Sequence, residues 1–289
     1  MKVYLNGRLV PESQAKVSVF DHGLLYGDGV FEGIRSYNGR VFMLDAHIDR
    51  LFRSAKAIDL RMPMTKQGIA RAVVKTCLAN GTMNGYIRLV VTRGVGTLGL
   101  NPYTCKRPQV IVIAGTIQLY PKELYEKGLA IVTVGTVRNH PETVNPNIKS
   151  LNYLNNVLAK IEAINAGCME AVMLNPQGYV SEATGDNIFI VKGNALITPP
   201  TYAGTLEGIT RDVVMRIAAE KGYEVRETLM NRYDLYTADE VFLTGTAAEV
   251  IGVVAIDRRE IGSGRPGKVT RTLAKLFHQH AQSTGTPIR

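Results

Sequence analysis

What most constrains this chain is a repeated pattern of short runs rich in β-branched residues, each closed by a tight turn. It opens on "KVYLNGRLV", where apolar and polar residues alternate around Asn6-Gly7, a pair suited to a two-residue hairpin turn. "YIRLVVTRG" and "QVIVIAG" continue the pattern, and after them "LAIVTVG", "EAVMLN", "YVSEAT", "DNIFIV", "ALITP", "EVFLTG" and "VIGVVAI" also read as strands. Helical spacing is rarer. In "DAHIDRLFRSAKAIDL", Asp45 is placed to cap and Ile48, Leu51, Phe52, Ala55 and Ile58 recur at helical spacing; a second helix runs from Thr65 to Gly81, a glycine stop. Further helices follow Lys149, span 209 to 221 and close the chain. Strands outnumber helices, so the sheets should be antiparallel or mixed, not doubly wound.

With 289 residues, 45% of them hydrophobic, the chain can bury a core of one large or two medium domains. The polar, helix-poor stretch "TIQLYPKELYEKG" marks a linker loop at 119–128, between a small domain at 1–118 and a larger one at 129–289. No run reaches the roughly 18 uncharged apolar residues of a membrane helix, and "MKVYLNGRLV" lacks the apolar core of a secretory signal, so a cytoplasmic location is expected. Cys77, Cys105 and Cys168 are far apart, which argues against a disulfide framework or a structural zinc site. The net charge of +9 suits an anionic partner, but basic and acidic residues are interspersed and no nucleic-acid-binding motif is present. Small anions such as phosphates and carboxylates explain the balance as well. His278 and His280 lack a neighbouring carboxylate or cysteine cluster, so no metal site is expected there.

Several stretches carry candidate chemistry, each with a plainer reading beside it. "GVGTLG" matches a dinucleotide-binding glycine pattern after a strand, but Pro102 and Pro108 oppose the helix such a turn must open, and the match is rejected. In "LEGITRDVVMRIAAEKG", Gly208 opens a helix whose first amides, with Thr210 and Arg211, suit a phosphate; an ordinary helix start is the alternative. "FLTGTAAEV" ends a strand in Gly245-Thr246-Ala247, small residues that let a ligand approach backbone amides. Glu182 stands where a strand breaks at Thr184-Gly185-Asp186, either exposed or holding a cationic ring nitrogen. "YGDGVFEGIR" is either a glycine-rich strand or tightly packed backbone beside a pocket. Lys149, between the proline-punctuated loop "VNPN" and an amphipathic helix, is by position alone a solvated charge.

In their order and spacing, "YGDGVFEGIR", "HIDRL", "YIRLVVTRG", "NIKSLNYLNNVLA", "SEATGDNIF", "GITRD" and "GTAAE" resemble the branched-chain amino acid aminotransferases, class IV (fold-type IV) pyridoxal phosphate enzymes; the match runs from about Met1 to Asp257. The resemblance implies an α+β protein with a small N-terminal α/β sandwich, a larger C-terminal domain with a mixed-sheet pseudo-barrel, and pyridoxal 5'-phosphate at the domain interface. It makes Lys149 the Schiff-base lysine and proton shuttle, and Glu182 the partner of the pyridine nitrogen. Arg50, Ile209, Thr210 and Thr246 resemble the phosphate cup, with Gly208 at its helix start, and Tyr153 the tyrosine near the 3' oxygen. Tyr26, Phe31, Gly33, Tyr86, Arg88, Thr246 and Ala247 match the substrate pocket, which Tyr120 would close from the linker loop. The implied reaction moves the amino group between L-leucine, L-isoleucine or L-valine and 2-oxoglutarate by a ping-pong route. A D-amino acid aminotransferase is the alternative, since "IKSLN" is shared with that branch, and an aminodeoxychorismate lyase a more distant one. The relatives are homodimers or dimer-based hexamers, so a homo-oligomer acting on small amino and oxo acids is expected.

Overall fold

Asn6 and Gly7 take positive φ, 48° and 96°, and fold β1 (Lys2–Leu5) back onto β2 (Arg8–Pro11) as the Asn-Gly pair predicts. The computed structural model describes residues 1–117 and 119–289. Two compact units divide the chain: Met1–Ile117 with Ile148–Asn152 and Ala281–Arg289, and Gln118–Asn147 with Tyr153–His280.

In the first unit, α1 (His22–Tyr26) precedes β3 (Gly29–Tyr37) and β4 (Arg40–Val41); α2 (Leu44–Ala57) and α3 (Lys66–Asn80) lead to β5 (Gly85–Thr92) and β6 (Gln109–Gly115). Seven strands form one antiparallel sheet, ordered Thr286–Pro287, β4, β3, β5, β6, β1, β2. Strand β3 was legible only as one of two readings of a glycine-rich stretch, yet it is a nine-residue strand buried almost throughout. Alternate residues Val30 and Ile34 of β3, with Ile87, Leu89 and Val91 of β5, form a core with Leu44, Ile48, Leu51 and Ala55 of α2 and Ile69, Ala72, Val73 and Cys77 of α3. The opposite face of β3 and β5 carries Phe31, Gly33, Tyr86 and Arg88.

The α3 boundaries match the sequence signals: the Thr65 hydroxyl accepts from the Gly68 amide, and Gly81 closes the helix at φ 62°. For α2 the expectation needs correcting. Met43, at φ 49°, is the residue before the helix, and Asp45 lies inside the first turn, where its charge still favours the helix dipole.

The second unit contains α4 (Lys122–Lys127), β7 (Leu129–Thr133), α5 (Leu154–Asn165), β8 (Glu170–Leu174), β9 (Val180–Ala183), β10 (Asn187–Lys192) and β11 (Ala195–Thr198). It continues with α6 (Ile209–Glu220), β12 (Glu224–Glu227), α7 (Arg232–Tyr236), β13 (Glu240–Gly245), β14 (Glu249–Ile256), β15 (Arg259–Glu260) and α8 (Lys268–Ser283), whose last three residues fall to the first unit. Nine strands make a mixed sheet in the order β12, β11, β10, β13, β14, β7, β8, β9, with β15 on β14; β11–β12, β14–β7 and β7–β8 are the parallel pairs. Short helix α4 falls within the stretch read as a linker loop. Pro121 immediately precedes it, a position that needs no amide donor from proline.

Candidate active site

In the first unit the site grows from the non-core face of β3. Lys149 is held there by backbone bonds: Phe31 N donates to Lys149 O at 3.0 Å and Leu151 N to Gly29 O at 2.9 Å, while Lys149 N donates to the Ser54 hydroxyl of α2 at 3.1 Å. The half-buried lysine places Nζ 4.6 Å from the Phe31 ring centroid, and the Arg88 guanidinium carbon lies 4.7 Å from that ring and 5.5 Å from the Tyr86 ring. Residues 31, 33 and 35 of β3 stand opposite 90, 88 and 86 of β5, which puts the aromatic rings and the guanidinium on one face. Gly33 is required for this. A Cβ there would collide with the Tyr86 hydroxyl oxygen.

Arg50, expected at the phosphate, is buried and makes two parallel bonds to Glu32, Nε to Oε1 at 2.8 Å and a terminal nitrogen to Oε2 at 2.7 Å. His47 Nδ1 lies 2.7 Å from the same Oε2. Burial pushes the Glu32 carboxyl up, but the charge and hydrogen bonds of Arg50, and then the hydrogen bond from His47, outweigh it and hold the group at about 2, against an ordinary 4.5. For His47, burial is the largest influence and lowers the pKa; the hydrogen bond and charge of Glu32 oppose it, the positive charges of Arg50 and Lys149 act with burial, and the net shift is downward. The imidazole is therefore neutral, with its proton on Nδ1 facing the carboxylate. Tyr26 donates its hydroxyl to the Leu98 carbonyl, which ties α1 to the loop carrying Gly94, Gly96 and Gly99. No helix begins at that loop; the next element is a single 3₁₀ turn, Pro102–Thr104, as the rejection of the dinucleotide pattern requires.

In the second unit Glu182, 5% exposed on β9, is gripped from several segments. Oε1 accepts from Arg138 at 2.6 Å; Oε2 accepts from Asn187 Nδ2 at 3.2 Å, the Thr205 hydroxyl at 2.9 Å and the Leu206 amide at 2.9 Å. Arg138 also donates to Asn156 at 2.9 Å. Three of these four donors crowd onto Oε2 and only Arg138 meets Oε1, so Oε1 is the oxygen better placed to take a further N–H donor. Asn187 reaches toward Gly208 as well: a Cβ on Gly208 would collide with Asn187 Oδ1. Gly208 starts α6 with no side-chain cap, so the first amides of the helix, at buried Ile209 and Thr210, are not claimed by a capping residue. Arg211 does not serve this end. Its guanidinium bonds the Pro199 carbonyl at 3.1 Å and Glu227 at 2.5 Å.

Thr246 and Ala247 form the tip of the β13–β14 hairpin, just past Gly245. Tyr153 immediately precedes α5. Tyr120, expected to close a pocket, is 2% exposed, and its hydroxyl lies 3.2 Å from Asp186 Oδ2 and 3.3 Å from Glu170 Oε2. Sequence reading missed Glu32, His47, Ser54, Arg138 and Asn187. Glu32, His47 and Asn187 stand inside stretches already singled out, "YGDGVFEGIR", "HIDRL" and "SEATGDNIF"; Arg138 lies in none of them.

The amino-transferase class IV family profile matches residues 29–256. The chain belongs to the class IV aminotransferases. This aminotransferase is 54% identical, over 96% of its own length and 95% of the other's, to a Methanocaldococcus jannaschii protein provisionally named a branched-chain-amino-acid aminotransferase. Its fold matches the crystal structure of the Escherichia coli branched-chain amino acid aminotransferase with a TM-score of 0.96 and 34% identity, covering 100% of this chain and 99% of that one. The "T.th." branched-chain amino acid aminotransferase complexed with N-(5'-phosphopyridoxyl)-L-glutamate matches with a TM-score of 0.92 and 38% identity, over 98% of this chain and 94% of that one. The protein is a pyridoxal phosphate-dependent aminotransferase of the branched-chain group. Its residues fit the cofactor: a half-buried lysine amine, a carboxylate with one less crowded oxygen, and an uncapped helix start are the groups that an aldehyde, a protonated ring nitrogen and a phosphate need.

Proposed function

We propose that the enzyme transfers the amino group between branched-chain L-amino acids (leucine, isoleucine, valine) and 2-oxoglutarate in two half-reactions, the first product leaving before the second substrate binds. The observation that carries this reading is the Phe31 ring, which has the Lys149 amine 4.6 Å and the Arg88 guanidinium 4.7 Å from its centroid. An apolar surface for a branched side chain and a cation for glutamate's second carboxylate thus meet at one ring, beside the amine that does the chemistry. The ligand of the "T.th." relative, which joins a phosphopyridoxyl group to L-glutamate, supports glutamate as the second substrate.

Bound pyridoxal phosphate supplies an electron sink for the substrate's α-carbon and a carrier for the amino group. Lys149 would carry the proton between that carbon and the cofactor's C4′ carbon, across the intervening nitrogen, with the Phe31 ring packed beside its amine. Glu182, anchored by Arg138, Asn187, Thr205 and Leu206, holds the ring nitrogen protonated. The amides of Ile209 and Thr210, the Thr246 hydroxyl and Arg50 bind phosphate. Tyr153 is assigned to the 3' oxygen. Amides at Thr246 and Ala247 receive the α-carboxylate, Phe31, Tyr86 and the space left by Gly33 receive the side chain, and Arg88 with Tyr26 meets a second carboxylate.

Half-reactions of L- and D-amino acids, followed singly by the cofactor's visible absorbance, test the reading. Lys149→Ala should abolish turnover with every substrate. Arg88→Leu should lower kcat/KM for glutamate about ten- to a hundredfold, the worth of one charge-assisted bond, and spare L-leucine. Equal losses for both substrates, or preference for D-amino acids, would refute the assignment.

A cytoplasmic homo-oligomer is also proposed. Leu154, Val157, Leu158, Ile161 and Ile164 form an exposed apolar row along one face of α5, at helical spacing. Leu158→Glu should lower the mass seen by sedimentation equilibrium if this row is the contact.

A further inference from the structure

Along β3 the residues facing the helices are Val30, Glu32, Ile34 and Ser36, so Glu32 occupies a place where the strand's two-residue period calls for an apolar side chain. Its carboxylate is fully buried, and packing alone does not require it: a buried ion pair is often no more stabilising than well-packed apolar residues of the same volume. Its three bonds do something an apolar residue cannot. Two of them take the Nε and one terminal nitrogen of Arg50 in a planar fork, which fixes the rotation of the guanidinium; the third, from His47 Nδ1, fixes the carboxylate.

The charged groups gathered here, all within the first unit, are Glu32, Arg50 and Lys149, with His47 neutral. Arg50 and Lys149 both bring positive charge to this cluster, which suits an anion. The planar fork leaves Arg50 rigid.

We propose that Glu32 is a positioning residue for the cofactor's phosphate monoester, acting through Arg50, whose guanidinium it presents in one orientation, with His47 bracing the carboxylate from behind. This rests on the assignment of Arg50 to phosphate made above. Preorganisation is the physical benefit: a long, flexible arginine held in place before binding loses less freedom on meeting its ligand. The competing effect, repulsion between Glu32 and a dianionic phosphate, has the opposite sign, so the direction of the change on removing the carboxylate decides between them.

The test compares pyridoxal phosphate with pyridoxal, which keeps the aldehyde and lacks the phosphate, by absorbance titration of the apoprotein. Glu32→Gln should weaken pyridoxal phosphate about tenfold, leave pyridoxal within about twofold, and add nothing in an Arg50→Met background. Arg50→Met alone should weaken pyridoxal phosphate at least as much. Unchanged or tighter binding of pyridoxal phosphate by Glu32→Gln, with Arg50→Met still weak, overturns the role of Glu32 and leaves Arg50 at the phosphate. An Arg50→Met protein that keeps the parent's preference for the phosphorylated form overturns both. Should Glu32→Gln not fold, Glu32→Asp keeps the charge but is one methylene too short for the two-point fork; its preference should fall between those of the parent and Arg50→Met, and a parent-like value overturns the proposal.

Discussion

Two buried carboxylate clusters, one in each unit, show how differently the same burial can be resolved. Glu32 faces an arginine and a histidine and is held ionised, its pKa at about 2. Asp186 faces another carboxylate, Glu170, across the Tyr120 hydroxyl; burial first, and then the charge of Glu170, raise it to about 7. Lys160, 3.1 Å from Glu170, offsets only part of that. Burial penalises charge in both places, and the neighbours decide whether the protein pairs the charge or keeps the proton. Tyr120 has one proton to donate and stands within hydrogen-bond reach of both carboxylates, and Asp186 is the one whose pKa is raised. The first cluster is an ion pair and the second is a proton-sharing tie that anchors the segment after residue 119.

The comparison is broken most sharply by truncation. Glu32→Ala strands the Arg50 guanidinium in the core and should cost about 3 to 5 kcal/mol in chemical denaturation, whereas Asp186→Asn, which mimics the protonated acid, should cost about 1 kcal/mol or less near neutral pH. Similar costs for the two would mean that the clusters do not differ in charge state.

The second test is pH. The fold keeps a proton on Asp186 that the unfolded chain releases near 3.8, so this group's contribution is complete below that value and is lost as pH rises toward 7. Glu32 behaves oppositely: its contribution is present above 4.5 and is lost as pH falls toward 2. Denaturation of the parent and Asp186→Asn across the range from about pH 4 to 8 should reveal a difference that changes by roughly 1 to 3 kcal/mol, with the parent losing ground as pH rises. Parallel curves would rule out the raised pKa. The smallest effect belongs to Tyr120→Phe, which removes one hydrogen bond and should cost about 1 kcal/mol. Because that bond lowers the Asp186 pKa, its loss should also extend the pH-dependent region upward.

Much of the local structure was legible. Asn6-Gly7 implied its hairpin, Thr65 and Gly81 bounded α3, and the run from Gly208 implied α6, because each depends on residues within a few positions of one another. Errors arose where distant packing overrode such signals. Asp45 is a good capping residue, but the tight turn from β4 brings the chain into α2 at Met43. At the β3 glycines two readings stood side by side, and tertiary packing shows why a glycine sits inside a strand: the Tyr86 side chain occupies the space a Gly33 Cβ would need.

The same division runs through the site. The order of motifs along the chain sufficed to point to the family and to single out Lys149, Glu182 and Arg50 as residues of interest. Only the tertiary structure decided what each of them touches: Lys149 pairs with β3, far earlier in the chain, Glu182 collects donors from Arg138, Asn187, Thr205 and Leu206, and Arg50 meets Glu32. The physical reason is range. Turn and helix preferences are written in neighbouring side chains, whereas the partner of a buried charge is set by whichever distant segment packing brings within about 3 Å, and no short stretch of sequence contains that information.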